Sequence, residues 1–328
     1  MGGVKIATIK DVAKTAGVSI ATVSRVLNNK GPLSDKTIKK VNDAMSVLKY
    51  RPNTIARSLV KGKHYCIGIM LPSIWMPFWS QLAHELEKEA TNQGYNIMIT
   101  IAPDDVDSYI EKCEHLRASM LDGIITSHVR GTDEYIKNAP IPIVLIGTVD
   151  RPPSVSSNDE QGGLLATRHL IAKGCKSLIH ISAKLDARKS SDERSYAFIR
   201  ECDRRHISYK LYQVEERVLR NMDFSGLISS IYCDNSSFDG IFASNDILAA
   251  HCVSTALSLG YKVPEDVRIV GYDDIIISPL LYPSLTTIRH NYQRLAEAAV
   301  ATLLNLIAGK EVEPKQVIPV ELVERKTT

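Results

Sequence analysis

Hydrophobic and polar positions follow two different patterns along this chain, and the change comes near residue 63. In the first stretch, apolar residues recur every three or four positions, which places them on single faces of helices. These residues are Ile9, Val12, Ala13 and Ala16 in one segment and Val23, Val26 and Leu27 in the next. Thr8 and Asp11 make a capping-box-like start, and Gly17 supplies the left-handed backbone that a sharp turn needs. The pattern predicts two short helices joined by a tight turn, then a third helix over 34–48.

After residue 63, short continuous apolar runs alternate with helical segments. The runs have the length of buried parallel strands and lie at 66–71, 96–102, 123–126, 143–147, 178–182, 240–243 and 267–271. The helical segments include 78–93, 162–173, 193–205 and 247–259. This alternation predicts a doubly wound α/β architecture. Because about 265 residues exceed one sheet-centred core, we expect two subdomains.

Charge divides the chain at the same place. Residues 1–63 contain 13 Lys and Arg against 3 Asp and no Glu, a net charge of +10. The remaining residues contain 27 Lys and Arg against 34 Asp and Glu, a net charge of −7. A near-neutral total therefore hides a basic head on an acidic body. Such a head is expected of a module that binds phosphates.

The second predicted helix is suited to the major groove of DNA. Ser19 can cap its start, and its apolar residues face inward. The other side chains are free to point outward: Ile20, Ala21, Thr22, Ser24, Arg25 and Asn28. A helix with this outward face on a basic head predicts an all-α helix-turn-helix DNA-binding module over residues 1–52.

The same stretch resembles the DNA-binding headpiece of the LacI/GalR family of transcriptional regulators. The matching residues are Asp11–Ala13, Ala16–Ser19, Thr22–Val26 and Asn28. The match continues into 50–59, which resembles the hinge helix of the family, and 28–41 resembles the headpieces of sucrose operon repressors. The resemblance implies the following DNA-binding residues: Thr8, Ser19, Ile20, Ala21, Thr22, Ser24, Arg25, Asn28, Asn53, Ala56, Arg57 and Leu59.

Residues 53–63 are predicted to form this hinge helix and a linker. Pro52 and Asn53 can start and cap a helix. The segment 54–59 is, however, only about one and a half turns long, below the roughly 12 residues at which an isolated helix becomes marginal. The resemblance implies that it forms when two copies pack over DNA, with Leu59 wedged into a minor-groove step. The alternative is that Leu59 is a linker residue covered by the core.

Residues 64–328 are predicted to form an effector-binding and dimerisation core. They resemble the periplasmic-binding-protein-like core of this family. The resemblance implies that the chain crosses between two subdomains near Gly163, Arg289 and Pro319. The N-subdomain would then comprise about 64–163 and 289–319, and the C-subdomain about 164–288 and 320–328.

Polar residues at predicted strand ends mark a candidate ligand site, because ligands of open α/β sheets bind at the carboxyl ends of the strands. Asn245 and Asp246 follow one strand, and Asp273 and Asp274 follow another. The resemblance carries effector contacts onto Asn245, Asp273 and Arg194. A carboxylate can accept from two neighbouring hydroxyls, an amide both donates and accepts, and a guanidinium presents a planar fork.

Structural roles are the alternatives at these strand ends. Asp246 is predicted to be a helix cap rather than a ligand, and Asp274 a solvent-facing turn residue. Arg194 could instead pair with Glu193 or Asp192.

The segment 72–79 resembles a family segment that ends in two aromatic residues. It adds Ser73, Phe78 and Trp79 to the predicted effector site. One of the two rings can lie against a sugar or a base while the other belongs to the helix core. Asp159 is predicted to be a further contact or else the cap of the following helix.

Sequence features of other protein classes are not found. No apolar stretch approaches the roughly 18 residues of a membrane span, and the N-terminus lacks an apolar signal region. Six scattered cysteines without a Cys-x-x-Cys pair indicate thiols in a reducing cytoplasm. No phosphate-loop, dinucleotide-binding or nucleophile-elbow motif is present. We therefore predict no enzymatic activity, no cofactor and no metal site.

Together these features predict a cytoplasmic transcriptional regulator, a repressor of a sugar-utilisation operon. A small effector, either a sugar such as sucrose or fructose or a sugar phosphate, would bind between the subdomains and set operator affinity. The alternatives are a regulator with a purine co-repressor, a catabolite-control protein that docks a phosphorylated carrier protein, and a carbohydrate-active enzyme with a DNA-binding head. Because no heptad segment follows 320–328, we expect a homodimer on a pseudo-palindromic operator.

Overall fold

The structure is a computed structural model of the chain. It describes residues 7–27, 32–50, 63–103, 105–127, 129–147, 153–185, 191–215, 218, 224–234 and 237–328. The chain divides into two compact units, Met1–His64 and Tyr65–Thr328. Within the described residues, no helix combines the length and the apolar character needed to cross a membrane.

The first unit is a small helical core. Its helices are α1 (Ile9–Ala16), α2 (Ile20–Leu27) and α3 (Asp35–Val47). Each contributes one fully buried valine, namely Val12, Val23 and Val41. The predicted capping box forms at the start of α1, and Gly17 ends that helix at φ 65°, in the left-handed region. The helix-turn-helix predicted from the sequence is therefore present.

The second unit contains two six-stranded sheets, of which the first is entirely parallel. Its strands are β1 (Cys66–Leu71), β2 (Asn96–Ile101), β3 (Gly123–Ser127), β4 (Ile143–Ile146), β5 (Ser154–Ser157) and β11 (Lys315–Ile318). Their order is β11-β5-β4-β3-β1-β2. The helices of this half are α4 (Pro77–Asn92), α5 (Val106–Ala118), α6 (Asp133–Asn138) and α11 (Tyr292–Ile307). Because α4 and α11 cover one face and α5 the other, the central strands are buried on both sides.

The second sheet repeats this arrangement. Its strands are β6 (Ser177–Ala183), β7 (Ser208–Val214), β8 (Gly240–Ala243), β9 (Arg268–Asp273), β10 (Thr286–Arg289) and β12 (Glu321–Val323). Their order is β12-β10-β9-β8-β6-β7, and only β12 runs antiparallel to its neighbour. Its helices are α7 (Asp159–Ala172), α8 (Asp192–Arg205), α9 (Ser225–Asp234) and α10 (Asp246–Ser258).

The chain passes between the two sheets three times. The backbone N–H of Asn158 still donates to the carbonyl of Ile318 in the first half, at 2.7 Å. From Asp159 onward, α7 packs on the second sheet. The first crossing thus comes ahead of the predicted position near Gly163, because α7 belongs to the second half. The other two crossings follow β10, after Arg289, and lie between β11 and β12.

One predicted strand differs in its environment. The apolar run 96–101 does form β2, but as an edge strand rather than a buried one. Met98, Ile99 and Ile101 are each more than two-fifths exposed. An apolar run alone therefore did not distinguish a central strand from an edge strand whose face is available to another surface.

Candidate functional site

The recognition helix α2 presents the outward face that the sequence predicted. Ile20, Ala21 and Arg25 are exposed, whereas Thr22 and Ser24 are half-buried. The hydroxyl of Ser19 accepts from the backbone N–H of Thr22 at 3.1 Å and so caps the helix. Ile20 and Ala21 lie in the first turn of α2, the part of such a helix that can reach base edges, and Arg25 lies in its last turn.

Further basic side chains lie on the next helix, α3. Lys36, Lys39 and Lys40 on α3 are all exposed. Thr8 is exposed as well, but its hydroxyl is used in the capping box with Asp11. The remaining predicted DNA contacts lie outside the described residues: Asn28, Asn53, Ala56, Arg57 and Leu59.

A second group of predicted residues comes together at the carboxyl ends of the strands in the core. Arg194, near the start of α8, is buried and donates to the Asp159 carboxylate at 2.6 Å and to the Ser244 carbonyl at 2.8 Å. Its guanidinium lies 3.7 Å from the Asp273 carboxylate and 3.5 Å above the Tyr272 ring. Arg194 therefore pairs with two distant carboxylates and not with its sequence neighbours.

Asp273 ends β9 in a strained conformation. Its φ is 107°, and Asp274 follows at φ 50°, both unusual for residues with a β-carbon. The imidazole Nε2 of His290 donates to Asp273 Oδ1 at 3.1 Å, and the hydroxyl of Tyr292 donates to the Asp273 carbonyl at 3.0 Å. Since backbone strain persists only where the surroundings determine it, these contacts fix the direction of the carboxylate.

His290 connects the two halves of the core. Its Nδ1 lies 2.6 Å from the hydroxyl of Ser157, at the end of β5 in the first half. With Nε2 donating to Asp273, Nδ1 is left as an acceptor for the Ser157 proton. The imidazole also packs edge-on against Phe78 and Tyr272. Sequence reasoning did not identify His290, which lies in no motif. Ser157 lies in the family-like segment that ends in Asp159, but no role was assigned to it; the crossing after β10 brings the two residues together.

Asp246 does not have the role predicted for it. The cap of α10 is Asn245, because its side chain accepts from the Leu248 N–H at 2.8 Å. Asp246 is fully buried and accepts from the Ile275 N–H, the Ser278 hydroxyl and the Thr287 hydroxyl.

Asp274 is also not a solvent-facing turn residue. Its side chain is 7% exposed and pairs with Arg289 at 2.6 Å and Arg325 at 2.7 Å. The neighbouring arginines of the last crossings bury it, which sequence spacing alone could not indicate.

The first half contributes the aromatic residues of the site. Phe78 packs against His290 and Trp79, with ring centroids 4.8 and 4.9 Å apart. Trp79 packs against the core of the first sheet, so Phe78 is the ring that faces the cleft. The Ser73 hydroxyl accepts from the Trp75 N–H at 3.0 Å and orders the turn that leads to these rings.

Between the halves lies a narrow cavity. It is lined by Met76, Pro77, Phe78, Phe224, Asn245, Ile247, Asp273 and Ile275. The space open to a water-sized sphere is about 20 Å³, which holds about one water molecule. Of the predicted effector contacts, Phe78, Asn245 and Asp273 line this cavity. Asp159, Arg194, Ser73 and Trp79 are not among its lining residues. Arg194 pairs with Asp159 and lies 3.7 Å from Asp273, and the Trp79 ring packs against Phe78.

Three glycines permit this close packing. A β-carbon at Gly162 would collide with the Tyr272 hydroxyl, and one at Gly163 with the backbone of Arg194. At Gly271 it would collide with the carboxylate of Asp246. The side chains that form the site can therefore approach only because these positions carry no side chain.

Burial and charge shift the acid–base equilibria of the site. Burial alone would lower the pKa of Arg194, but the charges of Asp159 and Asp273 outweigh it and hold the pKa above its usual value. Burial, and secondly the nearby charge of Asp273, raise the pKa of Asp246 to about 7. Arg194 is thus a permanent cation here, while Asp246 gains or loses its proton near neutral pH.

Comparisons with known proteins agree with the description of both the helical headpiece and the α/β core. Residues 8–53 match the profile of bacterial regulatory proteins, lacI family, and residues 167–328 match a periplasmic binding protein-like domain. The sucrose operon repressor of Streptococcus mutans serotype c is 35% identical over 97% of this chain and 98% of that protein. The ribose operon repressor of Halalkalibacterium halodurans is 32% identical over 98% of this chain and 97% of that protein.

Among solved structures, a Lac repressor dimer bound to operator and the anti-inducer ONPF has a TM-score of 0.88. It is 27% identical and covers 98% of this chain and 99% of that one. The fold predicted from the sequence, a helical headpiece followed by a periplasmic-binding-protein-like core of two α/β halves, is confirmed. The headpiece profile and the identity over nearly the whole chain show that this protein belongs to the lacI family of bacterial regulatory proteins, which are DNA-binding transcription regulators and not enzymes.

Proposed function

We propose that this protein is a repressor of a sugar-utilisation operon, and that a small sugar bound in the cleft sets its affinity for the operator. One observation carries the proposal: the same chain joins a basic head with an exposed recognition helix to a buried polar site at the carboxyl ends of its strands. The names of the sucrose and ribose operon repressors support a sugar. The protein acts in the cytoplasm, where its DNA target lies.

On the operator, the start of α2 enters the major groove. Ile20 and Ala21 contact base edges, and Arg25 donates to a guanine. Lys39 neutralises backbone phosphates with its neighbours on α3. Further contacts come from Thr8, Ser19, Thr22, Ser24, Asn28, Asn53, Ala56, Arg57 and Leu59.

In the cleft, the ligand lies against the ring of Phe78 and forms hydrogen bonds with Asn245 and Asp273. Arg194, which is buried and paired with Asp159, lies 3.7 Å from the Asp273 carboxylate and attracts it. Ser73 and Trp79 support the aromatic side of the site. A sugar meets these requirements, because its ring has apolar faces and its hydroxyls have donors and acceptors at the edge.

The protein binds its operator as a homodimer, since a pseudo-palindromic site presents one half-site twice. Large apolar side chains exposed on the core support self-association; among them Trp75 is 82% exposed, Leu280 77% and Tyr282 88%. Sedimentation of the full chain at micromolar concentration tests this state. A stable monomer or tetramer would contradict it.

Two measurements on the full chain test the function. Selection from random DNA duplexes should recover a pseudo-palindromic sequence. A thermal-shift screen with sugars, sugar phosphates and purines should then identify the effector, because a ligand at 100 times its Kd adds roughly 2.7 kcal/mol of stability. The same ligand must change operator affinity. The absence of any selected sequence would contradict operator binding, and stabilisation by purines alone would replace the sugar.

A further inference from the structure

In the part of the cleft that the structure describes, carboxyl groups outnumber cations. Arg194 is the cation among the described residues at its base, and it faces two buried carboxylates, Asp159 at 2.6 Å and Asp273 at 3.7 Å. Asp246 adds a third carboxyl group one strand away and is fully buried. The charge of Asp273 is one reason that the pKa of Asp246 is raised. One guanidinium thus serves two or three carboxyl groups.

Two nearby arginines, Arg289 and Arg325, do not offset the negative charge of these carboxyl groups. Arg289 pairs with Asp274 at 2.6 Å and with Glu321 at 2.9 Å, and Arg325 pairs with Asp274 at 2.7 Å. These two arginines are therefore neutralised by two acids outside the cavity. The described residues that line the cavity itself include no Lys, Arg or His.

The hydrogen-bonding groups left for a ligand suit an uncharged molecule. Asp273 Oδ1 is occupied by His290, while Oδ2 has no hydrogen-bond partner among the described residues. The Asn245 carbonyl oxygen is used as the cap of α10, which leaves its amide N–H₂ as a donor. The walls on either side are the rings of Phe78 and Phe224. The site thus offers a charged acceptor, a neutral donor and apolar faces.

From this arrangement we infer that the effector is an uncharged polyhydroxylated molecule, and that the cleft rejects the phosphorylated form of the same sugar. The inference rests on the proposed function and narrows it. A hydroxyl can donate to Asp273 without adding charge. A phosphate would bring about two negative charges at neutral pH into a low-dielectric site where no described cation is unpaired, so repulsion and desolvation both oppose its binding.

His290 is the positioning residue in this selection. The imidazole of His290 forms hydrogen bonds with Oδ1 of Asp273 and with the hydroxyl of Ser157. Because Oδ1 is fixed in this way, Oδ2 of Asp273 is left for the ligand. The Arg194 guanidinium lies 3.5 Å from His290 Nε2 and 3.7 Å from the Asp273 carboxylate, so the imidazole and the guanidinium together fix the position of Asp273.

Calorimetric titration of the full chain with matched pairs tests the inference. The pairs are fructose with fructose 6-phosphate, ribose with ribose 5-phosphate, and sucrose with sucrose 6-phosphate. For whichever pair binds, the neutral sugar should bind at least tenfold more tightly than its phosphate. Equal or tighter binding of the phosphate overturns the inference but leaves a sugar effector intact. Failure of all six compounds, with operator binding retained, overturns the sugar effector itself.

Variants then test the charge argument. Asp273→Asn removes one negative charge and should weaken binding of the neutral sugar. It should nevertheless reduce the ratio of the Kd of the sugar phosphate to the Kd of the sugar at least threefold. Asp159→Asn leaves the charge of Arg194 less compensated and should reduce that ratio without removing a group that lines the cavity. Asp107→Asn makes the same chemical change on the exposed surface of α5 and should leave the ratio unchanged. If neither cleft variant changes the ratio, charge does not govern the selection.

Discussion

Arg25 is exposed on α2, and in the proposed complex it donates to a guanine. Arg25→Ala should weaken binding to the selected operator by about 1–3 kcal/mol, because it removes a bidentate bond to guanine, and should have a smaller effect on random DNA. Lys39→Ala is the matched control: it should weaken both DNAs alike and reduce the salt slope by about one. Fluorescence anisotropy at several salt concentrations measures all four affinities. Equal losses for Arg25→Ala on both DNAs would contradict base reading.

Asp246 makes stability depend on pH. Its pKa is raised from 3.8 to about 7 in the folded protein, so between these values the folded chain keeps a proton that the unfolded chain has lost. The contribution of Asp246 to the stability of the folded state is therefore largest below the lower value and falls as pH rises toward the upper one, by up to about 1.4 kcal/mol per pH unit. Asp246→Asn should flatten this decline between pH 5 and pH 7 in urea unfolding. A decline as steep as in the unaltered chain would contradict the assignment.

At the candidate ligand site, the sequence could predict which residues come together, but not which partners each of them has. Arg194 and Asp273 were located from motifs at strand ends, and the structure brings them together. Asp274 was expected to face solvent because its partners, Arg289 and Arg325, come from later crossings of the chain. Those contacts depend on the packing of distant segments, which a local pattern does not record.

At the scale of elements, helices α7 and α8 of the second half pack closely because α7 has a glycine, Gly163, where they meet. In Gly163→Ala, the new β-carbon would collide with the backbone of Arg194, so α7 and α8 must separate. We expect a loss of about 1–3 kcal/mol of stability, because overpacked sites force backbone shifts. Gly226→Ala in α9 is the control; its β-carbon would meet no atom within 4 Å, and it should stabilise the protein by about 0.4–1 kcal/mol. Thermal unfolding compares the two, and equal effects would contradict close packing of α7 and α8.

The elements that sequence could predict are those with a strong apolar pattern. All seven predicted strands form. Six of them are buried, as a continuous apolar run predicts, whereas β2 is an apolar strand at an exposed sheet edge. Strand β5 was missed, since Ser154–Ser157 is a polar segment that is nevertheless buried between β4 and β11. Strand β7 was missed as well, because it lies at a sheet edge and alternates between exposed and half-buried residues.

At the scale of the whole molecule, ligand binding in the core must be transmitted to DNA binding in the headpiece. Asp273→Ala should abolish most of the effector response, because it removes the cleft acceptor, whereas Arg194 keeps its bond to Asp159. Operator binding without effector should remain, since the substitution lies outside the headpiece. Operator titration with and without the sugar identified by thermal shift measures both properties. A full effector response in Asp273→Ala would contradict the cleft assignment.

The width of the cleft has a consequence for the time course of regulation. The cavity lined by Phe78 and Asp273 has about 20 Å³ open to a water-sized sphere, so we expect the two halves of the core to move apart when a sugar binds. The rate of ligand association should then reach a plateau at high sugar concentration, set by the opening rate of the halves. Stopped-flow fluorescence of Trp79, which packs against Phe78, would record this plateau. Once sugar is plentiful, the time that the regulator needs to respond should then depend on the opening of its core and no longer on the sugar concentration.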